Sequence, residues 1–146
     1  MISAILLAAG ESKRMGAPKL LMPFGESTIV EQTIDNLLNS TISEVIVVLG
    51  YKAEEMLQKI AAKPIKIATN PNYHQGMSTS IATGLNLIDD KAEAVMLVLA
   101  DQPLIDSKII NELIEQFHTH NKGVAIPVYR GRRGLQIIFA TRYKTD

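Results

Sequence analysis

Near its amino terminus the chain reads Ile2-Ser3-Ala4-Ile5-Leu6-Leu7-Ala8-Ala9, an almost unbroken apolar run of strand length. A continuous apolar run suits a strand that is covered on both faces of a sheet. Glycine and charged residues follow at positions 10–14, too soon for a signal peptide or a membrane-spanning helix. The run therefore predicts a buried strand.

The rest of the chain alternates between similar runs and helical patterns. Further apolar runs lie at residues 44–49, 94–99 and 124–128, with a weaker one at 65–69. Helical periodicity follows Thr28 and Glu31, which are spaced as a capping box, and recurs at 53–62, 81–88 and 110–117. Either Asp106 or Ser107 suits the cap of the last helix.

This alternation predicts one α/β domain over residues 1–146. We expect a three-layer sandwich with a mainly parallel, Rossmann-like sheet. In such sheets ligands bind outside the carboxyl ends of the strands, near the point where the strand order reverses. Motifs that directly follow a strand are therefore the first candidates for a functional site.

The composition narrows the classes of function. The 146 residues contain 15 Lys plus Arg and 15 Asp plus Glu, which gives a formal net charge of zero. No long-range field then favours nucleic acid or an anionic membrane, and we expect neither as a partner. The chain has no cysteine, so it has no disulfide or thiolate metal site, which favours a reducing, cytoplasmic location.

The loop after the first strand combines small residues with cations. It reads Leu7-Ala8-Ala9-Gly10, then Ser12, Arg14-Met15-Gly16 and Lys19. Small residues let backbone N–H groups approach an anion, and Arg14 and Lys19 would add charge-assisted bonds. A solvated surface loop would look the same by glycine content alone. The loop matches neither the GxGxxG pattern nor a P-loop.

A second polar segment follows the weak strand and opens a helix. It reads Asn70-Pro71-Asn72-Tyr73-His74-Gln75-Gly76-Met77-Ser78-Thr79-Ser80. Free N–H groups at a helix start favour an anion or a polar base edge. The alternative is an ordinary turn followed by a cap, which Ser78 would supply.

A third segment, Ala100-Asp101-Gln102-Pro103, follows the apolar run at 94–99. It puts a carboxylate at the carboxyl end of a strand, where a hard oxygen ligand suits Mg²⁺. An Asp before Gln-Pro could equally start a turn. Gln102 could hold a substrate or position Asp101.

Together the three segments resemble the motifs of the MobA/MocA-like nucleotidyltransferases, and the likeness runs from Met1 to about Gly134. The resemblance implies a fold of the nucleotide-diphospho-sugar transferase type. It also implies catalytic roles for Arg14, Lys19 and Asp101, with Asp101 holding Mg²⁺. The implied nucleotide-binding residues are Leu7, Ala8, Ala9, Gly10, Arg14, Lys19, Asn70, Gly76, Met77, Ser78 and Ser80.

The family's Leu-Ala-Ala-Gly form tends to accompany cytidylyltransferases, so Ala9 favours CTP, as does the Asp-Gln-Pro form. The implied reaction transfers CMP from CTP to the phosphate of the molybdenum cofactor (molybdopterin) and releases pyrophosphate, with a molybdoenzyme maturation protein as an implied partner. The alternatives are a nucleotidyltransferase using GTP or a sugar-phosphate acceptor, and nucleotide binding without transfer.

The resemblance weakens after Gly134. The family continues Gly-His-Pro at this point, whereas this chain reads Gly134-Leu135-Gln136 and ends at Asp146. We therefore expect the C-terminal part of the family fold to be missing, together with a second carboxylate on the metal side.

Overall fold

The structure is a computed structural model that describes residues 1–9, 19–120, 124–125, 128–129, 132–133 and 137–140. Within these ranges, no helix is both long enough and apolar enough to cross a bilayer.

The described elements alternate as the sequence predicts. The helices are α1 (Ile29–Leu38), α2 (Ala53–Ile60), α3 (Met77–Leu85) and α4 (Ser107–His120), and short 3₁₀ turns lie at Lys19–Leu21 and Tyr73–Gln75. The strands are β1 (Ile2–Ala8), β2 (Pro23–Phe24), β3 (Ser27–Thr28), β4 (Glu44–Leu49), β5 (Lys66–Thr69), β6 (Ala94–Leu99), β7 (Val124–Ala125), β8 (Val128–Tyr129), β9 (Arg132–Arg133) and β10 (Ile137–Ala140).

The main sheet has the strand order β5-β4-β1-β6-β10-β7. The strands β5, β4, β1 and β6 are mutually parallel, whereas β10 pairs antiparallel with both β6 and β7. The predicted fold class, an α/β sandwich with a mainly parallel sheet, is therefore confirmed. After β1 the chain adds β4 and then β5 on one side of β1, and it next places β6 on the other side. The strand order therefore reverses beside β1.

The predicted strand at 124–128 is wrong in its extent. Val124 and Ala125 pair with β10, whereas Val128 and Tyr129 pair with β9 in a separate two-stranded sheet. The sequence places Pro127 between the two pieces, and proline has no N–H group to donate to a ladder. Strand β10, which was not predicted from the sequence, lies between β6 and β7.

Apolar side chains cover both faces of β1. Ile2, Ala4, Leu6 and Ala8 belong to one buried cluster with residues of α1, α2 and α4, whereas Ile5 and Ala9 belong to a second cluster with Ile88. Successive side chains of a strand point to opposite faces, so β1 is a central strand buried on both sides. At the second face, Gly84 lets α3 approach closely, since a Cβ there would lie 2.6 Å from Cγ2 of Ile5.

The structure shows which residues cap the helices α1, α3 and α4. The Glu31 N–H donates to the Thr28 hydroxyl at 3.3 Å, and that hydroxyl donates to the Glu31 carboxylate at 2.9 Å, so the capping pair is confirmed. Asp106 rather than Ser107 caps α4, because the Ile109 N–H donates to its carboxylate at 3.0 Å. Ser78 is wrong as the cap of α3, since Gly76 occupies the N-cap and Ser78 lies inside the helix.

Candidate functional site

The three motif segments begin where parallel strands end, so their first described residues lie at one edge of the sheet. Ala9 follows β1, Asn70 follows β5, and Asp101 lies two residues beyond β6. These strands run in the same direction, so their carboxyl ends lie at a common edge, which we call the carboxyl edge. The reversal of strand order beside β1 lies within it, at the place where α/β proteins bind ligands.

Gly50 brings the ends of β1 and β4 into close contact. A Cβ on Gly50 would lie 2.6 Å from Cβ of Tyr73 and 2.9 Å from Cβ of Ala9. The Tyr51 N–H donates to the Ala9 carbonyl at 3.0 Å, which ties the two strand ends together. Gly50 was not among the predicted site residues, although it directly follows an apolar strand, as Gly10 does.

Three rings lie beside this contact. Tyr73 makes edge contacts with Tyr51, at 6.3 Å between ring centroids, and with His74, at 5.2 Å. The Lys52 ammonium lies 5.8 Å from the centroid of the Tyr51 ring. Lys52 adopts a left-handed conformation, with φ of 55°, at the residue before α2. The carboxyl edge at β4 thus carries aromatic surface and a cation close to the end of β1.

Asn70 organises the segment between β5 and α3. Its side-chain amide donates to the hydroxyls of Thr79, at 2.8 Å, and Ser80, at 2.9 Å, and its side-chain oxygen accepts from the Asn72 N–H at 3.0 Å. Asn70 and Ser80 are both buried. Their polar atoms therefore fix the shape of the loop, and a direct contact of either with a nucleotide stays a prediction.

The start of α3 is more open than Asn70. Gly76 has a φ of 118°, a backbone conformation that side chains rarely adopt, and it has no side chain to cap the helix. Met77 and Ser78 follow it in the first turn, and both are exposed, Met77 to 56%. The Thr79 N–H donates to the Gly76 carbonyl at 3.2 Å. The N–H groups of Met77 and Ser78 precede the first intrahelical bonds, so this helix start suits an anion. The structure thus divides the five predicted residues of this segment into a buried pair, Asn70 and Ser80, and three exposed residues, Gly76, Met77 and Ser78.

Asp101 lies in a loop that is held from both sides. The Ala100 N–H donates to the Leu7 carbonyl at 3.2 Å and so continues the ladder between β1 and β6. The Ala100 carbonyl accepts from the buried Thr33 hydroxyl of α1 at 2.8 Å. The Gln102 side-chain amide lies 3.5 Å from the Asp101 carboxylate, at the outer limit of a hydrogen bond. This contact is consistent with the positioning role predicted for Gln102.

The described donor set fits a magnesium ion that is shared with a nucleotide. Magnesium in nucleotide sites is held by one or two carboxylates, with substrate phosphates and water completing the octahedron. Asp101 supplies such a carboxylate, and it is partly exposed at the carboxyl edge. Among the residues that the structure describes, no group of three or more His, Cys, Asp or Glu could hold a metal ion alone.

The structure describes only some of the site residues predicted in and after β1. Gly10 and Arg14 lie outside the described residues, and of Lys19 only the backbone is described, at the start of the turn Lys19–Leu21. Leu7 is partly buried, and Ala8 and Ala9 are buried at 1% and 4% exposure. The Ala8 and Ala9 side chains are thus packed inside the protein, which leaves backbone groups as the means by which these two residues would meet a ligand.

Comparison with known proteins shows the family of the chain. The profile of the MobA-like NTP transferase domain matches residues 4–146, so the chain belongs to that family of nucleotidyltransferases. The chain is 31% identical over 138 residues to the molybdenum cofactor cytidylyltransferase of Escherichia coli strain K12, which covers 94% of this chain and 69% of that protein.

Two further likenesses bear on fold and function. The chain is 31% identical over 114 residues to the nicotine blue oxidoreductase of Paenarthrobacter nicotinovorans, which covers 77% of this chain and 55% of that protein. The crystal structure of Rv0371c from Mycobacterium tuberculosis H37Rv matches with a TM-score of 0.86 at 23% identity, over 99% of this chain and 74% of that one. The last match shows the fold.

Proposed function

We propose that the chain binds an NTP at the carboxyl edge and transfers its nucleotidyl group to a phosphate, with CTP as donor and the molybdenum cofactor as acceptor. The observation that carries the proposal is the convergence of the segments beginning at Ala9, Asn70 and Asp101 on one edge of four parallel strands. The choice of CTP is supported by Ala9 and by the name of the Escherichia coli relative.

The reaction needs positioned anions and no covalent intermediate. An oxygen of the acceptor phosphate forms a bond to the α-phosphorus, the bond between that phosphorus and the bridging oxygen breaks, and pyrophosphate leaves. In this proposal Arg14 and Lys19 neutralise the phosphates, and the first-turn N–H groups of α3 after Gly76 receive a further polar group of the nucleotide. Holding both reactants in line supplies much of the rate enhancement.

Asp101 is the proposed ligand for Mg²⁺. When bound, the ion would polarise the phosphate oxygens and neutralise developing charge. Asp101 would hold its carboxylate toward the nucleotide, and Gln102, at 3.5 Å from that carboxylate, would restrict its orientation. The loop in which both residues lie is fixed by the hydrogen bonds of Ala100 to Leu7 and Thr33.

Base choice would depend on how Ala9 packs. Its methyl group lies against Gly50 and is buried, so it would act on the base by setting the distance between the ends of β1 and β4. A change of one methyl group in a pocket typically alters discrimination by about 1–3 kcal/mol. Because this difference in free energy is small, the choice of nucleotide donor has to be measured directly.

The deciding experiment measures pyrophosphate release from CTP, GTP, ATP and UTP with Mg²⁺, with and without molybdenum cofactor. We expect release from CTP that requires both Mg²⁺ and the cofactor. Release from GTP, or with a sugar phosphate in place of the cofactor, would favour the alternative donors and acceptors. Saturable binding of Mg·CTP without release under any condition would favour nucleotide binding alone. The oxidoreductase name of the second relative finds no support in the loop after β1, which lacks the GxGxxG pattern.

A further inference from the structure

Two buried polar side chains of α1 hold the loop that carries Asp101. Thr33 is 2% exposed and lies on the face of α1 that packs against the sheet. Its hydroxyl oxygen is 2.8 Å from the Ala100 carbonyl and 2.9 Å from the Ile29 carbonyl one turn earlier. Both neighbours are acceptors and the hydroxyl has one proton, so it shares that proton between its own helix and the Asp101 loop.

Asn36 holds the same loop at its other end. Its side-chain amide, in a residue that is 7% exposed, donates to the Pro103 carbonyl at 2.9 Å. The Gln32 side-chain amide in turn donates to the Asn36 oxygen at 2.9 Å. With Gln32 as donor, the Asn36 oxygen is the acceptor and its nitrogen must face Pro103, so the orientation of this amide is fixed.

Asp101 lies between these two anchors. Thr33 and Asn36 are three residues apart, which puts them on one face of α1, and they bind the backbone at Ala100 and Pro103. The Ala100 N–H also donates to the Leu7 carbonyl, so the two peptide groups that flank the Ala100 Cα are both held. The backbone on either side of Asp101 is thereby fixed against α1 and β1.

Helix α1 also connects to the segment that contains Lys19. The Ile29 N–H, at the start of the helix, donates to the Met22 carbonyl at 3.1 Å, just after the turn Lys19–Leu21. Leu20 and Leu21 pack on the same buried cluster as Ile34 and Leu37 of α1. One rigid helix thus contacts both the segment proposed to meet the phosphates and the loop proposed to meet the metal.

We propose that Thr33 and Asn36 are positioning residues for Asp101, which set the place of its carboxylate and so the affinity of the site for a divalent cation. The proposal rests on the function proposed above. Partners beyond the metal ligands orient those ligands, and their loss typically costs about 10-fold to 100-fold in metal affinity or activity. An apolar pair at these positions would fill the same space but leave the loop carbonyls without their donors.

The test compares Thr33→Val and Asn36→Leu with the unaltered chain in two measurements. The first is binding of Mn²⁺ in the presence of CTP, followed by the electron paramagnetic resonance signal of the free ion. The second is the dependence of pyrophosphate release on Mg²⁺. We expect each variant to need about 10-fold to 100-fold more metal for half-saturation, while the affinity for CTP in the presence of EDTA changes little. Thr33→Ser, which keeps the hydroxyl, should restore metal binding.

Ile34→Val is the matched control. It removes one methyl group from a fully buried residue of the same helix and leaves both hydrogen bonds intact. If it weakens Mn²⁺ binding as much as Thr33→Val does, the two polar residues merely stabilise the fold and the inference is overturned. If the unaltered chain binds no Mn²⁺ with CTP and releases no pyrophosphate, the proposed function fails, and the inference falls with it. Normal binding by the unaltered chain with no loss in Thr33→Val overturns the inference alone.

Discussion

At the amino edge of the sheet charged side chains are paired within the chain, whereas at the carboxyl edge the loops around Asn70 and Asp101 are held by neutral groups. Glu44 begins β4 and accepts from the buried Ser3 hydroxyl, the Lys66 ammonium and the Asp89 N–H. Nearby, Glu93 lies 3.4 Å from the amino terminus and 3.3 Å from His118.

The carboxyl edge is arranged differently. The amide of Asn70 and the hydroxyls of Thr79 and Ser80 shape one loop, and Thr33 and Asn36 hold the other. Uncharged donors do not titrate near neutral pH, so the loop shapes do not depend on protonation there. The amino edge thus uses charge for stability, whereas the loops of the carboxyl edge, including the one that carries the proposed metal ligand Asp101, keep their shape through neutral groups. Each edge can be perturbed separately.

The largest effect is expected from Asp101→Asn. The substitution keeps the shape of the side chain and removes the charge that a hard cation requires. We expect transfer to fall by at least about 100-fold, which corresponds to about 2.7 kcal/mol of barrier, with cooperative unfolding unchanged. Pyrophosphate release and thermal unfolding are the measurements.

Asp106→Asn is the matched control for that substitution. Asp106 is an exposed carboxylate five residues further on that caps α4, and asparagine caps helices equally well. Its activity should equal that of the unaltered chain. Equal activity of Asp101→Asn would instead remove the metal role from the carboxyl edge.

More of the fold than of the candidate site could be predicted from the sequence. Strands β1, β4 and β6 were predictable because they are continuous apolar runs between helical patterns. Strand β10 was not, because four apolar residues say nothing about an antiparallel partner some forty residues earlier, which only tertiary contact defines.

In the candidate site, the motifs predicted Asn70, Ser80 and Asp101, but not the residues of α1 that hold the Asp101 loop. Thr33 and Asn36 interrupt the apolar face of α1, and a polar residue at a buried helical position is the signal that could have found them. Gly50 carries the weaker signal of a glycine directly after an apolar strand, which does not show the approach of Tyr73 on which its role depends. Packing between distant segments has no counterpart in local sequence pattern.

A second, smaller effect is expected from Gly50→Ala. The new Cβ would overlap Cβ atoms of Tyr73 and Ala9, which cannot move without their backbones, so overpacking should cost about 1–3 kcal/mol of stability. The end of β1 would shift, so CTP affinity should fall as well. Thermal unfolding and titration with Mg·CTP measure the two effects.

Gly84→Ala separates the loss of stability from the loss of affinity. Its Cβ would lie 2.6 Å from Cγ2 of Ile5, an overlap of similar size that lies away from the strand ends. We expect Gly84→Ala to lower stability without weakening CTP binding. Equal affinity in Gly50→Ala and the unaltered chain would show that the contact of Gly50 with Ala9 and Tyr73 does not shape the nucleotide site.

The smallest effect on function is expected at the amino edge, where Glu44 should influence stability alone. Burial raises the pKa of Glu44, but the hydrogen bonds from Lys66, Ser3 and the Asp89 N–H outweigh it and lower the pKa below the ordinary 4.5. The folded chain therefore binds fewer protons here than the unfolded chain. The resulting stability is complete above the unfolded pKa and is lost as the pH falls through the folded pKa.

Chemical unfolding from pH 7 down to pH 3 tests this sign. For the unaltered chain the free energy of unfolding should fall below about pH 4.5, and Glu44→Gln should make that fall shallower, since the substituted amide does not titrate. Some pH dependence should persist, because His118 and the amino terminus also lower the pKa of Glu93.

At pH 7 the loss of hydrogen bonds to a charged group should cost Glu44→Gln about 1.5 kcal/mol of stability, while Glu54→Gln, at an exposed position of α2, should cost nothing measurable. Pyrophosphate release at pH 7 should be the same in all three chains, because Glu44 lies at the opposite edge from Asp101. If Glu44→Gln lowers pyrophosphate release under conditions where the chain stays folded, the two edges are coupled through the sheet. The amino edge would then not act on stability alone.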